Sequence, residues 1–529
     1  MKKNSEGKNI ITAISWERIF LNITIEQAGS EKYVFKNCET GEVVIIPGTP
    51  DKEKGQLVIN LAAVAGRSFL GNGEWFIGVM QDGEFVHCEL SEQAAYSLEA
   101  TSKVFRYEKD KAYTVSFNVY STDEKNLYLI LNSSFMKENK NWQKKSLLTD
   151  RTLLFKKGID LLYRLLRLFH KADGKNLLLM SETKAYLYGN LAAIDRRLRE
   201  RGLDREYRID TSFRYALGEV SRLGNWIRLI VKVAKADIIF IDDYCRIFNY
   251  IDLDKKTELV QVWHAGGGFK AVGYCRFGKN GSPHPVLSSH RKYTYVATGS
   301  ASLKKVFSEV FGIEEASIIP TGMPRLDGYL DEEVIATFKE TFYSQHPDYR
   351  DKKIILFCPT FRGKRQEVAY YDFGKLDLKR IYDFCRDEYI FMIKLHPFIK
   401  EKLPLPEEYQ DRISDFSEYP DINELYYIAD ILITDYSSSF YEYSLLRKPM
   451  LFYTYDRCVY ENTRGVYRYV KAVAPGKVCD DFDELLEALK NKDYEFEKVA
   501  GFIRENFGEY DGKATDKLIE QIILKNKQG

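Results

Sequence analysis

Between residue 10 and about residue 135, apolar and polar side chains alternate in short runs: ERIFLNITIE, KYVFKN, GEVVIIPG, GQLVINLAAV, GEWFIGVMQDGEFVHCEL, AYTVSFNVYS and NLYLILNSS. Turn residues separate the runs, as in GNGEW and the QDGE hairpin. A period of two with one apolar face is the mark of half-buried strands, so residues 1–138 are predicted to form an all-β domain, built as a sandwich. It carries no cluster of titratable side chains, and His87, alone in a strand, is read as structural.

The pattern then changes twice. Residues 139–174 open with the polar, basic stretch NKNWQKKSLLTDR, read as a linker, and continue as LLFKKGIDLLYRLLRLFH, an amphipathic helix over Leu153 to His170. Lys156, Lys157, Arg164 and Arg167 flank its Leu and Phe face. Two readings fit it: a helix buried against the next domain, or one lying on an anionic membrane surface. From residue 175 onward strands and helices alternate. Candidate strands are Asn176 to Ser181, Asp237 to Asp242, Leu259 to Trp263, Tyr293 to Thr298 and Ser317 to Thr321, with helices over Tyr186 to Arg201 and Gly218 to Ala236. The second of these helices is also basic and amphipathic around Arg228. A charged helix from Asp331 to about Phe342 leads into a second series: Lys353 to Cys358, Tyr389 to Leu395, Ile413 to Phe416, Ile431 to Thr434 and Met450 to Tyr453. Alternation of this kind predicts parallel α/β sheets. Two such halves, 175–342 and 343–529, predict two Rossmann-like domains facing a cleft in a glycosyltransferase-B arrangement.

Composition narrows the function. The 529 residues are too many for one core, and roughly two to four domains are expected. A net charge of +1, from 78 basic and 77 acidic residues, gives no case for nucleic acid. The eight cysteines are scattered, which fits reduced thiols better than disulfides or a zinc site. No stretch of about 18 apolar residues is present, nor a signal-peptide core, so the protein is expected on the cytoplasmic side.

The candidate chemistry lies at strand ends. In ILITDYSSSFYEYSLLRKPMLFYTYD a strand ends in Asp435, Tyr436 and three serines before a helical pattern begins. Ser437 and Ser438 would sit at the helix start, where free N–H groups favour a diphosphate; a plain helix cap is the alternative. His264 follows the strand before it in LVQVWHAGGGFKAVG, where Gly266, Gly267 and Gly268 would let the backbone approach a ligand and Lys270 adds a cation. A histidine so placed is a candidate general base. PTGMPRLD contributes Arg325 and Asp327, CPTFRGKR contributes Arg362, Lys364 and Arg365, IKLHP contributes Lys394 and His396, and TRGVYRYVKAVAPG contributes Arg464. Arginine suits phosphate because its planar fork donates two hydrogen bonds to one group. Asp242 and Asp243 form an acidic pair that is not assigned to a metal. Walker, GxGxxG and kinase patterns are missing, which disfavours ATP chemistry.

In order and spacing, WHAGGGFKAVG, PTGMPRLD, PTFRG, KLHP, TDYSSSFYEYSLLRKPMLFY and TRGVY resemble the CDP-glycerol glycerophosphotransferase family, the primases and polymerases of wall teichoic acid. Typical members have WHG followed by a proline and a lysine pair, whereas this loop runs His264, Ala265, Gly266, Gly267, Gly268, Phe269, Lys270. The resemblance implies transfer of a polyol phosphate, glycerol phosphate first and ribitol phosphate as the alternative, from a CDP-activated donor to a hydroxyl of a polymeric or lipid-linked acceptor of the teichoic-acid or a related surface-polymer kind, with release of CMP. It implies His264 as the base, His396 as a contact to the donor diphosphate or leaving CMP, Ser437 and Ser438 as diphosphate ligands, and Arg325, Arg362 and Lys394 as compensating charge. Asp435 and Arg464 fall in the same donor group, and Gly266, Gly267, Gly268 and Lys270 in the acceptor loop. Work at the inner face of the cell membrane is implied, with no resident cofactor assigned and divalent metal left open. A nucleotide-sugar glycosyltransferase of the same architecture, and a non-catalytic scaffold, are the alternatives.

Overall fold

The computed structural model describes residues 9–27, 32–51, 53–65, 69–108, 111–122, 125–137, 150–213, 223–263, 272–276, 288–363 and 366–525. The chain divides into two compact units: Met1–Thr149 with Asp456–Val466, and Asp150–Tyr455 with Tyr467–Gly529.

Among its described residues the first unit is built on one mostly antiparallel sheet of eleven strands, where two packed sheets were expected. The alternation does what its period dictates: along Gln56–Asn60, Leu57 and Ile59 are buried while Val58 faces outward. Pairing of Ile10–Glu17 with Phe20–Glu26 sets Ile14 opposite Ile23 and Trp16 opposite Leu21, with a bulge between Ile11 and Ala13. Ile11, Ile23, Tyr33, Trp75, Tyr113 and Leu131 fill the core. A short helix, Glu92–Ser97, interrupts the β pattern; Ser91 caps it by accepting from the Ala94 amide. His87 is enclosed by the rings of Phe76, Phe85 and Tyr128, and burial lowers its pKa, with Lys36 adding to the effect. The excursion Asp456–Val466 belongs to this unit: Cys458 enters the same core, and Tyr96 donates to Glu461 over 2.6 Å.

Among its described residues the second unit holds two six-stranded parallel sheets. The first runs, in spatial order, Arg208–Phe213, Asn176–Ser181, Ile238–Ile241, Glu258–Gln261, Tyr295–Ala297 and Ile318–Ile319. The second runs Ile413–Asp415, Tyr389–Ile393, Lys353–Cys358, Ile431–Thr434, Met450–Tyr453 and Lys477–Cys479. Their central strands are buried on both faces, which is why they read as continuous apolar runs. In the second sheet the order in chain sequence is 3-2-1-4-5-6, and the reversal between Lys353–Cys358 and Ile431–Thr434 opens a crevice at the carboxyl ends.

Helices close the faces. Asp150–Leu168 packs along Leu223–Lys235 by burying Ile159 and Tyr163. Arg167, one of the cations that flank the apolar face, is buried: it donates to the carbonyls of Ala234 and Ala236 at 3.0 and 2.9 Å and so caps the neighbouring helix. Near the end of the chain, Leu518, Ile519, Ile522 and Ile523 pack on the first sheet beside Leu177, Leu179 and Ile194. Asp516 fastens that contact with a two-pronged pairing to Arg197, 2.9 and 2.8 Å.

Candidate functional site

At the reversal point, adjacent strands are tied together by one carboxylate. Asp435 follows Ile431–Thr434, and its Oδ1 accepts from the amides of Thr360 and Tyr436 at 2.8 and 2.6 Å. Its Oδ2 pairs with Arg362 at 2.9 Å, and both side chains are almost wholly buried. Arg362 also donates to the Thr360 carbonyl at 3.0 Å, and the rings of Tyr371, Tyr436 and Tyr455 lie 5.2–5.6 Å from its guanidinium. The turn is closed by a bridge between Arg362 and Tyr370. Gly363 is required there: its φ is 92° and a Cβ would come within 2.1 Å of the Val368 carbonyl oxygen. Arg362 and Asp435 thus form the floor of the crevice, with the arginine's charge directed to Asp435.

The serines lie where the sequence puts them. Helix Ser439–Leu445 starts directly after them, Ser438 is exposed and makes no capping bond, and Ser437 accepts from the Ser439 amide at 3.3 Å. The Ser437 and Ser439 hydroxyls are 2.8 Å apart. Lys394 and His396 follow the next strand, Tyr389–Ile393. The Lys394 ammonium is buried, bonds the Ser417 carbonyl at 2.6 Å, and has its pKa lowered by burial. His396 is half-buried between Phe361 and Phe398, whose ring centroids lie 4.8 and 4.7 Å away, so its loop touches the Arg362 turn. Its Nδ1 accepts from the Phe398 amide at 3.2 Å, which places the proton of a neutral ring on Nε2.

The first sheet contributes through Arg325, in the short turn Pro324–Leu326. Its guanidinium pairs with Glu442 on the helix that the serines introduce, linking the ends of the two sheets. Asp327 is used differently: its oxygens accept from Ala514 and Thr515, capping helix Ala514–Leu518, and burial raises its pKa. Asn190 was not foreseen. It is buried, donates to the carbonyls of Val262 and Trp263 at 2.9 and 2.7 Å, and accepts from the Arg325 amide at 3.0 Å. It therefore joins the Arg325 turn to the chain at the point where it leaves the strand preceding His264. There Trp263 holds a left-handed φ of 30°, a strained conformation for a bulky side chain.

His264, Gly266, Gly267, Gly268 and Lys270, and also Lys364 and Arg365, lie outside the described residues. Arg464 belongs to the first unit, in the excursion Asp456–Val466, with its guanidinium 5.9 Å from the Tyr460 ring centre. Sequence reasoning also missed Glu442 and His290. Glu442 sits where a first-turn carboxylate is explained by the helix start alone. His290 is buried among aromatic rings with Nδ1 3.0 Å from the Tyr293 hydroxyl, and burial pushes its pKa down to about 4. Tyr293 in turn accepts from Gln261, whose Oε1 accepts from the Trp263 amide.

A doubly wound sheet whose reversal point carries a serine turn, a histidine and buried cationic side chains is the setting of an enzyme that handles a phosphorylated ligand. Comparison with known proteins makes the class specific. Residues 162–524 match the family described as CDP-Glycerol:Poly(glycerophosphate) glycerophosphotransferase. The chain is 32% identical over 443 residues, 83% of its own length and 76% of the relative's, to teichoic acid ribitol-phosphate polymerase TarL of Staphylococcus aureus (strain NCTC 8325 / PS 47). It is 35% identical over 376 residues, 71% and 72% of the two chains, to ribitol-phosphate polymerase TarK of the same strain. Among solved structures, wall teichoic acid polymerase TagF matches with a TM-score of 0.55 at 22% identity, covering 74% of this chain and 99% of that one, which is a likeness of fold. The protein is a transferase. It belongs to the CDP-glycerol:poly(glycerophosphate) glycerophosphotransferase family.

Proposed function

We propose that this chain moves a polyol phosphate from a CDP-activated donor to a hydroxyl of a teichoic-acid-like polymer, with its two parallel sheets acting as two Rossmann-like halves of a glycosyltransferase-B arrangement. The acceptor oxygen forms a bond to the phosphorus carrying the polyol, the bond from that phosphorus to CMP breaks, and His264 takes the hydroxyl proton. Ser437, Ser438 and the helix start hold the diphosphate, with His396 Nε2 donating to it or to the leaving CMP. Arg325 adds charge from the first sheet, and Gly266, Gly267, Gly268 and Lys270 face the acceptor. Asp435, Arg362 and Lys394 hold the strand ends that carry these groups. The observation supporting this most is the Arg325–Glu442 pairing, which joins the end of one sheet to the serine helix of the other. In-line transfer needs such positioning and charge compensation and little covalent chemistry from the protein.

For the polyol, the two relatives quoted above favour ribitol, whereas the family description names glycerol. We take ribitol phosphate as the preferred unit and glycerol phosphate as its competitor. The test is CMP release by purified protein from CDP-ribitol and CDP-glycerol with a soluble phosphopolyol acceptor. Acceptor-dependent release, faster with CDP-ribitol, is expected. Faster release with CDP-glycerol would reverse the assignment, and no release from either would remove the transferase reading.

Among the described residues no helix is long and apolar enough to cross a membrane. The outer face of Asp150–Leu168 nevertheless exposes Leu161, Leu165, Leu168 and, just beyond it, Phe169, next to Lys157 and Arg164. That face fits peripheral contact with an anionic bilayer, where a polymer acceptor on a lipid would be met. Co-sedimentation with vesicles containing anionic lipid is expected, and to fall several-fold in a Leu168→Glu/Phe169→Glu variant. Equal sedimentation of variant and wild type would sink the idea.

A further inference from the structure

A cavity of about 300 Å³ lies beside the candidate site in the second unit, bounded by Tyr188, Arg196, Arg325, Asp421 and Tyr427. Its position follows from the elements around it. Tyr188 immediately precedes helix Gly189–Glu200, which carries Arg196 and follows strand Asn176–Ser181, and Asp421 immediately precedes helix Ile422–Ile428, which carries Tyr427. Arg325 closes the end nearest the serine helix through its pairing with Glu442. Whatever occupies the cavity therefore ends one side chain away from the proposed donor site.

The lining is mixed in a particular way. Arg196 is largely exposed and has only a loose contact with Glu200, 3.8 Å, so its fork can be recruited by an anion. The acidic side chains are anchored: one oxygen of Asp421 accepts from the Asn423 amide at 2.9 Å, and both oxygens of Asp327, at the cavity edge, cap a helix. Tyr188 is half-exposed, with the Tyr186 ring 6.1 Å away edge-on and the Lys184 ammonium 5.2 Å over its face. The set thus offers a guanidinium for a phosphodiester, carboxylate and phenol oxygens for hydroxyls, and an aromatic wall for a carbon chain. One repeat of a polyol phosphate polymer presents those three features together. The volume suits one such repeat and is at the lower bound of small-ligand sites, roughly 300–1,000 Å³.

We propose that this cavity is a subsite for a non-reacting repeat of the acceptor polymer, its phosphodiester on Arg196 and its hydroxyls toward Asp421 and Tyr188. The assignment rests on the polyol-phosphate transferase reading and adds where the acceptor chain runs. Such a subsite contributes only when the acceptor has a second repeat to place in it, which separates long from short acceptors.

The experiment compares Arg196→Gln, Arg196→Lys and Tyr188→Ala with wild type on a soluble acceptor of one polyol phosphate unit and on one of several units, reading CMP release. Arg196→Gln and Tyr188→Ala are expected to raise the KM for the longer acceptor about 5- to 10-fold, the scale of one charge-assisted contact, with KM for the CDP donor and for the one-unit acceptor unchanged. Arg196→Lys should recover part of the loss, because it keeps the charge and loses the fork. A wild type active on both acceptors, with variants that slow both equally or neither, overturns the subsite alone. A wild type inactive with every acceptor removes the transferase reading and the subsite with it.

Discussion

Replacement of His264 by alanine is expected to lower acceptor-dependent CMP release by about 10² to 10⁴-fold, the usual contribution of a general base, while the KM for the donor stays near its wild-type value. The reasoning begins with the alcohol. An unactivated hydroxyl is a weak nucleophile near neutral pH, and removal of its proton as the new P–O bond forms is the one step at which a side chain must do more than hold charge. Histidine suits that step because its pKa lies near the operating range. The chain before it is set firmly: Asn190 holds the carbonyls of Val262 and Trp263, and Gln261 holds the Trp263 amide. Replacement of His396 provides the contrast. With Nδ1 accepting from Phe398, a neutral His396 carries its proton on Nε2, the nitrogen proposed to donate to the phosphate, so His396→Ala should raise donor KM as well as lower kcat. A His264→Ala enzyme with undiminished kcat would transfer the role of base elsewhere; one that lost donor affinity equally would make His264 a binding residue.

The parallel sheets were legible because their central strands are buried on both faces. Asn176–Ser181, Lys353–Cys358, Ile431–Thr434 and Met450–Tyr453 have the bounds their apolar runs predict. Arg208–Phe213 and Lys477–Cys479 were not foreseen. The first, RIDTSF, is an edge strand with only partial burial, and the second has three residues, so neither leaves a hydrophobic run to read. The same limit applies to the site. Strand-end motifs pointed to Asp435, Ser437 and His396 because turn and helix signals flank them. Asn190 and Glu442 escaped because they act through contacts 135 and 117 residues away in the chain, to Arg325, and nothing local distinguishes them from ordinary helix residues. Arg362 and Lys394 were found as cations, yet sequence could not tell a cation offered to a ligand from one already committed to Asp435 or to the Ser417 carbonyl.

That commitment leads to the largest expected effect on stability. Asp435→Ala should destabilise the α/β unit by about 3–5 kcal/mol, because it leaves the Arg362 guanidinium buried without its counter-charge and strips the Thr360 and Tyr436 amides of their acceptor. Arg362→Ala should cost a similar amount for the converse reason. The double replacement should cost clearly less than the sum, since no uncompensated charge then remains. Asp435→Asn separates charge from geometry: its amide oxygen can still accept from the two backbone donors, so it should retain more stability than Asp435→Ala. The same variants should raise donor KM, because Asp435 ties the strand leading to Ser437 to the strand leading to Arg362 at the point where the sheet reverses. Urea unfolding of the four proteins, with donor KM measured on the folded fraction, checks both statements. Midpoints at the wild-type value, or additive losses in the double variant, would show that the pair is not what holds the crevice floor. Unchanged donor KM in a folded Asp435→Asn enzyme would separate the floor from donor binding.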